Sequence, residues 1–408
     1  MTPLPSKTAA LTTAATWSAI ALGFFIPIAT ATSNLLLALT ALLFALSGDY
    51  RGKARAIARN PVALACLLFF ALTLLGSLYG LGAWHDKQHY LGKYLTLLAV
   101  PLLAPLFAER VSRVYALAAF CAAMLLTLAL SYAIRFGWLP PGSLPMMDAA
   151  DPVVFKLSIT HGFLMAITAF LLAVAARHAD SLRARRILAA LAALAAFNVL
   201  FMVIGRTGYV VLVVLGIYFF FRRFGARGVA IAAVGFALAC AAAYQWSSAF
   251  HERTDKALAE AGAWREGRGD RTSIGLRLDY YSNTLAIIRA HPLFGVGTGG
   301  FALAYGERVQ HTGMAPSNNP HNQYLLIAAQ LGVVGLAALI GLYAVYWRGA
   351  GRLVPPFGEI ARGLLLAMLV GNLFNSFMLD FTERLFFAWL SGVLFAELSA
   401  RRDDVGPG

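Results

Sequence analysis

Long apolar runs broken by short polar clusters set the rhythm of this chain. Runs of about 17 to 25 residues recur along its length, each long enough to cross ~30 Å of hydrocarbon as a helix. In lipid only helices and closed barrels satisfy every backbone group, and continuously apolar rather than alternating runs favour helices. The pattern predicts spans at 10–30, 33–48, 62–81, 91–107, 115–134, 159–176, 187–204, 208–221, 229–246, 322–347, 361–379 and 384–400. That is about twelve crossings, with both ends of the chain on one side. The expected fold is an all-α polytopic membrane protein in three parts: helices 1–9 over 1–246, an external loop over 247–320, and helices 10–12 with a tail over 321–408.

The loop has its own pattern. Glu252 and Lys256, four apart, fit a first helix near 250–265, which glycines at 262, 267 and 269 interrupt. A second helix is expected near Ser273–Ala290, where Ile274, Leu278, Tyr281, Leu285 and Ile288 share one face and Arg277, Tyr280 and Thr284 the next. Pro292 ends it. The apolar face suits either the membrane surface or packing over the spans.

Composition agrees with the membrane assignment, at 60% hydrophobic and 13% charged residues. A net charge of +14 invites a nucleic-acid partner, but its location argues otherwise. The face holding the termini carries 19 Lys and Arg against 7 Asp and Glu, and the other face 14 against 12. This is the asymmetry that marks a cytoplasmic face, and the runs Arg51–Arg55, Arg183–Arg186 and Arg222-Arg223 are topology signals, so no nucleic-acid partner is expected. The long loop, with 8 basic and 7 acidic residues, is nearly neutral. Cys66, Cys121 and Cys240 all fall within spans and read as small apolar residues, with no metal-type spacing. The first apolar run leads straight into a second span, so no cleavable leader is expected.

Candidate chemistry lies on the outer face. Arg206 sits in the turn Gly205-Arg206-Thr207-Gly208, which is too short to carry it far into water. An arginine at that depth either snorkels to the interface or faces a cavity or an anion such as phosphate. Gly295-Val-Gly297-Thr-Gly-Gly300 matches a dinucleotide pattern without the strand and helix that would give it meaning. It is either a turn of close backbone approach or a phosphate cradle of backbone N–H groups. His321 lies at the mouth of a span and is either a general base or an interfacial histidine at a helix start. Arg277 is either an anion ligand or a salt-bridge partner, and Arg265, Arg268 and Arg271 read as a solvated face. His85, His89 and His161 are either interfacial or turned toward substrate, and Lys156 precedes the span that holds His161.

These features together resemble the superfamily of O-antigen ligases and Wzy-type polymerases. The resemblance rests on Arg206 in a tight external turn and on the helix bearing Arg277-Leu-Asp-Tyr280-Tyr281. It continues through His291-Pro-Leu-Phe-Gly295-Val-Gly297-Thr-Gly-Gly300-Phe301 and ends on Pro320-His321-Asn322-Gln323-Tyr324-Leu325. Relatives often carry Ser where Gly205 stands here. The resemblance implies a helical lipid-carrier glycosyltransferase (GT-C-like) in the bacterial inner membrane, with cytoplasmic termini and a periplasmic active site. It implies an inverting, metal-independent enzyme without cofactor, which moves O-antigen from an undecaprenyl-diphosphate donor to a lipid A-core acceptor. His321 would then accept the acceptor's proton, while Arg206 and Arg277 would bind the departing diphosphate. Tyr280, Tyr281, Asn322, Gln323, His291, Gly297, Lys156 and His161 are the expected substrate contacts.

Three alternatives share the donor or the setting. A polymerase or a protein O-oligosaccharyltransferase would use the same chemistry on another acceptor. Polymerases often carry two Arg-rich external loops, whereas 135–160 holds only Arg135 and Lys156, which favours a ligase. A transporter or flippase predicts mid-membrane ionisable groups and broken helices.

Overall fold

A computed structural model of the chain describes residues 7–140, 142–246, 255, 259–260, 262, 272–312 and 314–400. Among these no strand occurs. The first half comprises α1 (Lys7–Phe25), α2 (Thr30–Leu46), α3 (Tyr50–Arg59), α4 (Pro61–Tyr79), α5 (Trp84–Tyr94), α6 (Ala99–Leu103), α7 (Arg110–Arg135), α8 (Ser158–His178) and α9 (Leu182–Phe197). Then come α10 (Arg206–Phe224), α11 (Ala226–Trp246), α12 (Ser273–Ala290), α13 (Phe301–Val309), α14 (Gln323–Ala350), α15 (Phe357–Phe374) and α16 (Phe381–Phe395). From α5 to Phe107 the helix tightens twice into 3₁₀ turns, around a stretch where Pro101 and Pro105 withhold their backbone donors.

All twelve expected spans fall on helices, but length and apolarity alone qualify fewer of them. Nine helices among the described residues are long and apolar enough to cross a membrane, or ten if α2 and α3, bent by 117° to each other, count as one. Of the rest, α16 has 15 residues and α11 qualifies only as a shorter apolar helix, Ala226–Leu238. The span expected at 361–379 ends early, at Phe374, because Asn375 and Ser376 leave the helix for polar partners. The outer surface carries bare leucines, Leu35 at 69%, Leu68 at 72% and Leu78 at 75% exposure, as hydrocarbon permits and water does not.

Polar contacts sort the helix ends into two groups. At one end Lys156 donates to Thr30 Oγ1 at 2.9 Å, Thr160 to Glu383, Asn375 to Thr207 Oγ1 at 3.3 Å, and Tyr90 to the Asn318 carbonyl. At the other end Arg113 pairs with Glu397 at 2.7 Å, Arg177 pairs with Glu359, and Asn60 donates to the Phe395 carbonyl at 2.8 Å. Each group joins only segments expected on one face. Arg113, Glu359 and Glu383 are buried, but each lies within the first turn of its helix. The mid-membrane charges that a transporter predicts are not what these helices bury.

A broken helix does occur. Gly332 interrupts α14 with φ 63° and ψ −158°. The break frees the carbonyls of the buried Ala329 and Gln330 and the amides of Val333 and Val334 on the apolar outer face, and each needs a partner where water is absent. The loop after α12 supplies all four. Val296 N–H donates to Ala329 O at 2.9 Å and Gly297 N–H to Gln330 O at 2.8 Å, while Val333 and Val334 donate to the carbonyls of Pro292 and Leu293 at 2.8 and 3.4 Å. The break is a splice into which the external loop is sewn.

Candidate functional site

Arg206 is the first residue of α10, and its position follows from backbone packing. A Cβ on Gly205 would lie 2.3 Å from the Ser158 carbonyl oxygen, so the turn can lie against the start of α8 only without a side chain there. The turn therefore requires Gly at this position. Asp151 holds both strands of the junction, accepting from Ile204 N–H at 2.9 Å and from the Ser158 hydroxyl. The Thr207 hydroxyl is tied to Asn375. The arginine itself is exposed.

Arg277 comes to the same place on α12, which spans Ser273–Ala290 as expected and is capped by Thr272 accepting from Gly275 N–H. The expected apolar face is rotated by about one residue. Thr284 and Ile287 are buried and Tyr280 and Ile288 pack on the core, whereas Leu285 is exposed. Leu278 and Tyr281, from the face expected to pack, instead line an opening. That opening is a cavity of about 290 Å³ walled by Arg206, Thr207, Val210, Arg277, Leu278, Tyr281, Leu373 and Phe374. Two guanidinium groups and two hydroxyls meet four apolar side chains, with no carboxylate in the wall. Among the described residues neither arginine enters an ion pair.

His321 stands beside this cavity. The Tyr281 hydroxyl lies 3.4 Å from the His321 carbonyl oxygen and donates to that of Leu373 at 3.0 Å. The imidazole lies against the Tyr280 ring at 5.8 Å, and Tyr280 in turn meets Tyr305 edge-on. His321 has φ 54°, a left-handed conformation that an L residue adopts only when its surroundings impose it. Asn319 does so, its Oδ1 accepting from His321 N–H at 2.9 Å and from the Ser376 hydroxyl at 2.7 Å. Burial, and then the positive charge of Arg277, push the imidazole pKa below its usual value. The ring is therefore unprotonated at neutral pH and free to accept a proton. Burial likewise raises the Tyr281 phenol, which keeps its proton as a donor.

Other expected contacts lie elsewhere. Asn322 caps α14, accepting from Tyr324 and Leu325 N–H at 3.0 Å, and its amide donates to Leu373 O. Gln323 is buried between Tyr94 and Met378 N–H. Asn322 thereby braces the cavity wall at Leu373, while Gln323 ties α14 to α5 and to the segment before α16. His291 ends α12, about 21 Å along the helix from Arg277. His161 is buried against Asn198 at 3.1 Å, and Asn198 donates to Ser131, a network within the bundle. Lys156 reaches Thr30 near Glu383, its pKa lowered by burial against the opposing pull of that carboxylate.

The glycine run proves to be the turn of close approach. A Cβ on Gly297, at φ 81°, would fall 2.1 Å from the Gly80 Cα. The N–H groups of 295, 296, 297, 298 and 300 all donate to backbone carbonyls, which leaves these five no part in a phosphate cradle. Glu252, Lys256, Arg265, Arg268 and Arg271 lie outside the described residues. Among the described residues no group of three or more His, Cys, Asp or Glu is placed to share a metal ion. Sequence reasoning missed Thr207, Leu373, Phe374, Asn375 and Ser376. The Asn375-Ser376 pair inside an apolar run was the available signal.

Residues 191–340 match the family model described as O-antigen ligase. Over that segment, somewhat more than a third of its length, the chain is similar to the O-antigen ligase family. The matched stretch holds Arg206, Arg277, Tyr281 and His321, and the cavity is completed from outside it by Leu373 and Phe374. A more local likeness joins 93 residues, 32% identical, to an uncharacterized protein of Haemophilus influenzae. It covers 22% of this chain and 23% of that protein, so the chain matches under a quarter of that relative's length. The matched segment and the many apolar helices agree on a multi-pass membrane protein.

Proposed function

We propose that this protein is an O-antigen ligase, which transfers glycan from a polyprenyl diphosphate to a sugar hydroxyl of lipid A-core at the outer face of the inner membrane. The observation that carries the proposal is the cavity in which Arg206 and Arg277 meet without a carboxylate. A diphosphate leaving group gains negative charge as the glycosidic bond breaks, and fixed guanidinium groups in a partly dry cleft stabilise it with little reorganisation. With two arginines in that role, the reaction needs no metal. Val210, Leu373 and Phe374 form an apolar wall, and all three are exposed on the outer surface where a prenyl chain would approach.

His321 is the general base. It is neutral at neutral pH and lies one residue contact from the cavity through Tyr281. It takes the acceptor hydroxyl proton as the oxygen attacks the anomeric carbon opposite the diphosphate, so the configuration inverts. Tyr280 orients the ring, and Tyr281 borders the donor. The sorting of polar contacts between the two ends agrees with the expected pairing of segments, and with it goes the rest of this reading: twelve crossings, cytoplasmic termini, a GT-C-like arrangement and a periplasmic loop over 247–320.

Deleting the gene and examining the lipopolysaccharide tests the reading. Loss of the O-antigen ladder with accumulation of lipid-linked polymer is the ligase result. A lipopolysaccharide carrying a single repeat would assign a polymerase instead.

A further inference from the structure

At the end of the bundle away from Arg206, two hollows adjoin. The first, of about 410 Å³, lies in the elbow between α2 and α3 and is lined by Lys53, Arg55 and Arg59, with Asp49 as its one carboxylate. Asp49 is engaged as the cap of α3, accepting from Gly52 N–H at 3.1 Å. Lys53 is held at the rim by the Ser47 hydroxyl at 2.8 Å and by the Phe44 carbonyl. Among the described residues, Arg55 and Arg59 enter no ion pair.

The second hollow, of about 320 Å³, is a groove between α1 and α7, with Trp17, Ile20, Val111 and Tyr115 along it and Glu109 at one end. Trp17 and Tyr115 stack at 5.8 Å and are both exposed. The two hollows share Thr12, Pro105, Leu106 and Ala108, so they lie side by side with a common wall. Along α1 the first is met at Thr8 and Thr12 and the second from Thr12 to Ile20, a further run of about 12 Å along the surface toward the middle of the span.

A cationic chamber at the helix ends, continued by an apolar aromatic groove along the spans, has the shape and polarity of one amphiphile. We propose that it binds an anionic glycerophospholipid of the leaflet on the side of the termini, with the phosphate on Arg55 and Arg59 and an acyl chain along Trp17 and Tyr115. Orientation signals account for basic residues anywhere in the loops of this face. They do not account for the convergence of three on a hollow that continues as an apolar groove. A free phosphate has no use for the groove, and a zwitterionic lipid gains less from the cations.

Native mass spectrometry of the full-length protein, released from detergent with added phosphatidylglycerol or phosphatidylcholine of the same chains, tests this. The wild type should retain phosphatidylglycerol roughly tenfold or more in preference. The double variant Arg55→Gln/Arg59→Gln, both positions exposed, should lose that preference, and Trp17→Ala should weaken retention of both lipids. A matched control, Arg183→Gln/Arg186→Gln, exposed on the same face away from the hollow, should retain it. Equal retention of the two lipids by wild type, or equal loss in the control, would overturn the proposal. So would displacement of the lipid by millimolar inorganic phosphate alone.

Discussion

The Tyr281 hydroxyl donates to the carbonyl oxygen of Leu373 at 3.0 Å, tying the Arg277 helix to the end of the span that forms the opposite wall of the cavity. The same hydroxyl stands 3.4 Å from the His321 carbonyl oxygen, so one phenol coordinates the anion side and the base side of the site. Tyr281→Phe keeps the ring and loses these contacts, at a cost of about 1 kcal/mol. Transfer of lipid-linked glycan should fall roughly fivefold, not vanish, with normal membrane insertion. Wild-type rates in this variant would remove Tyr281 from the site.

The two arginines should behave as a pair. Arg206→Ala and Arg277→Ala should each lower transfer by about 10²–10³, the scale for losing one fixed donor at a developing charge. The double variant should be little worse than either single, because each needs the other to hold the diphosphate. Lysine at either position should restore only part of the activity, since an ammonium group cannot make the forked contact. Assays on purified protein with a polyprenyl-diphosphate donor, in chelator, measure all of these. Activity that depends strictly on an added divalent ion would contradict the role given to the arginines.

How much of this was legible in the sequence follows a physical line. Apolar runs and helix stops act over neighbouring residues, so the helices and the bounds of α12 could be read directly. Arg206, Arg277 and His321 stood out because a charge or an imidazole beside lipid needs a reason. The meeting of the two arginines in one cavity, with His321 beside it, could not be read, because it depends on Gly205 lying against Ser158 and on the seat of α12 over α14. The rotation of α12 was hidden for the same reason: Leu285 and Ile287 are equally apolar, and only the neighbours decide which is covered. The intramolecular partners of Asn322 and Gln323 could not be read either, since an amide in the sequence does not say which backbone groups it meets.

The pH response follows from His321. A general base works in its neutral form, and burial together with Arg277 lowers the imidazole pKa below 6.5. The rate should therefore be level through neutrality and fall only as pH drops below the ordinary imidazole value, toward the lowered one. Removing the Arg277 charge removes one of the two causes, so in Arg277→Gln the His321 titration should move upward. NMR of labelled histidine in the detergent-solubilised protein reads this shift without requiring activity. An unchanged or lowered titration would separate the two residues. His321→Ala should reduce transfer by about 10²–10⁴ at neutral pH, with the gap to wild type narrowing as pH falls below the lowered imidazole pKa.

Glycines test whether the Gly295–Gly300 run is architecture or ligand. Gly297 sits at φ 81° with the Gly80 Cα where its Cβ would be, and its N–H holds the carbonyl freed by the break in α14. Gly297→Ala must displace backbone on one side and leave a buried acceptor unpaired on the other, costs that together exceed about 2 kcal/mol. It should lower the melting temperature of the purified protein and its yield in membranes, and should weaken donor binding only in step with that loss. Gly306, inside α13 with open space around its Cα, gives the contrast: Gly306→Ala should be neutral or stabilising by about 0.5–1 kcal/mol. A Gly297→Ala protein that melts like wild type yet no longer binds donor would return the run to the phosphate-binding role that its hydrogen bonds now argue against.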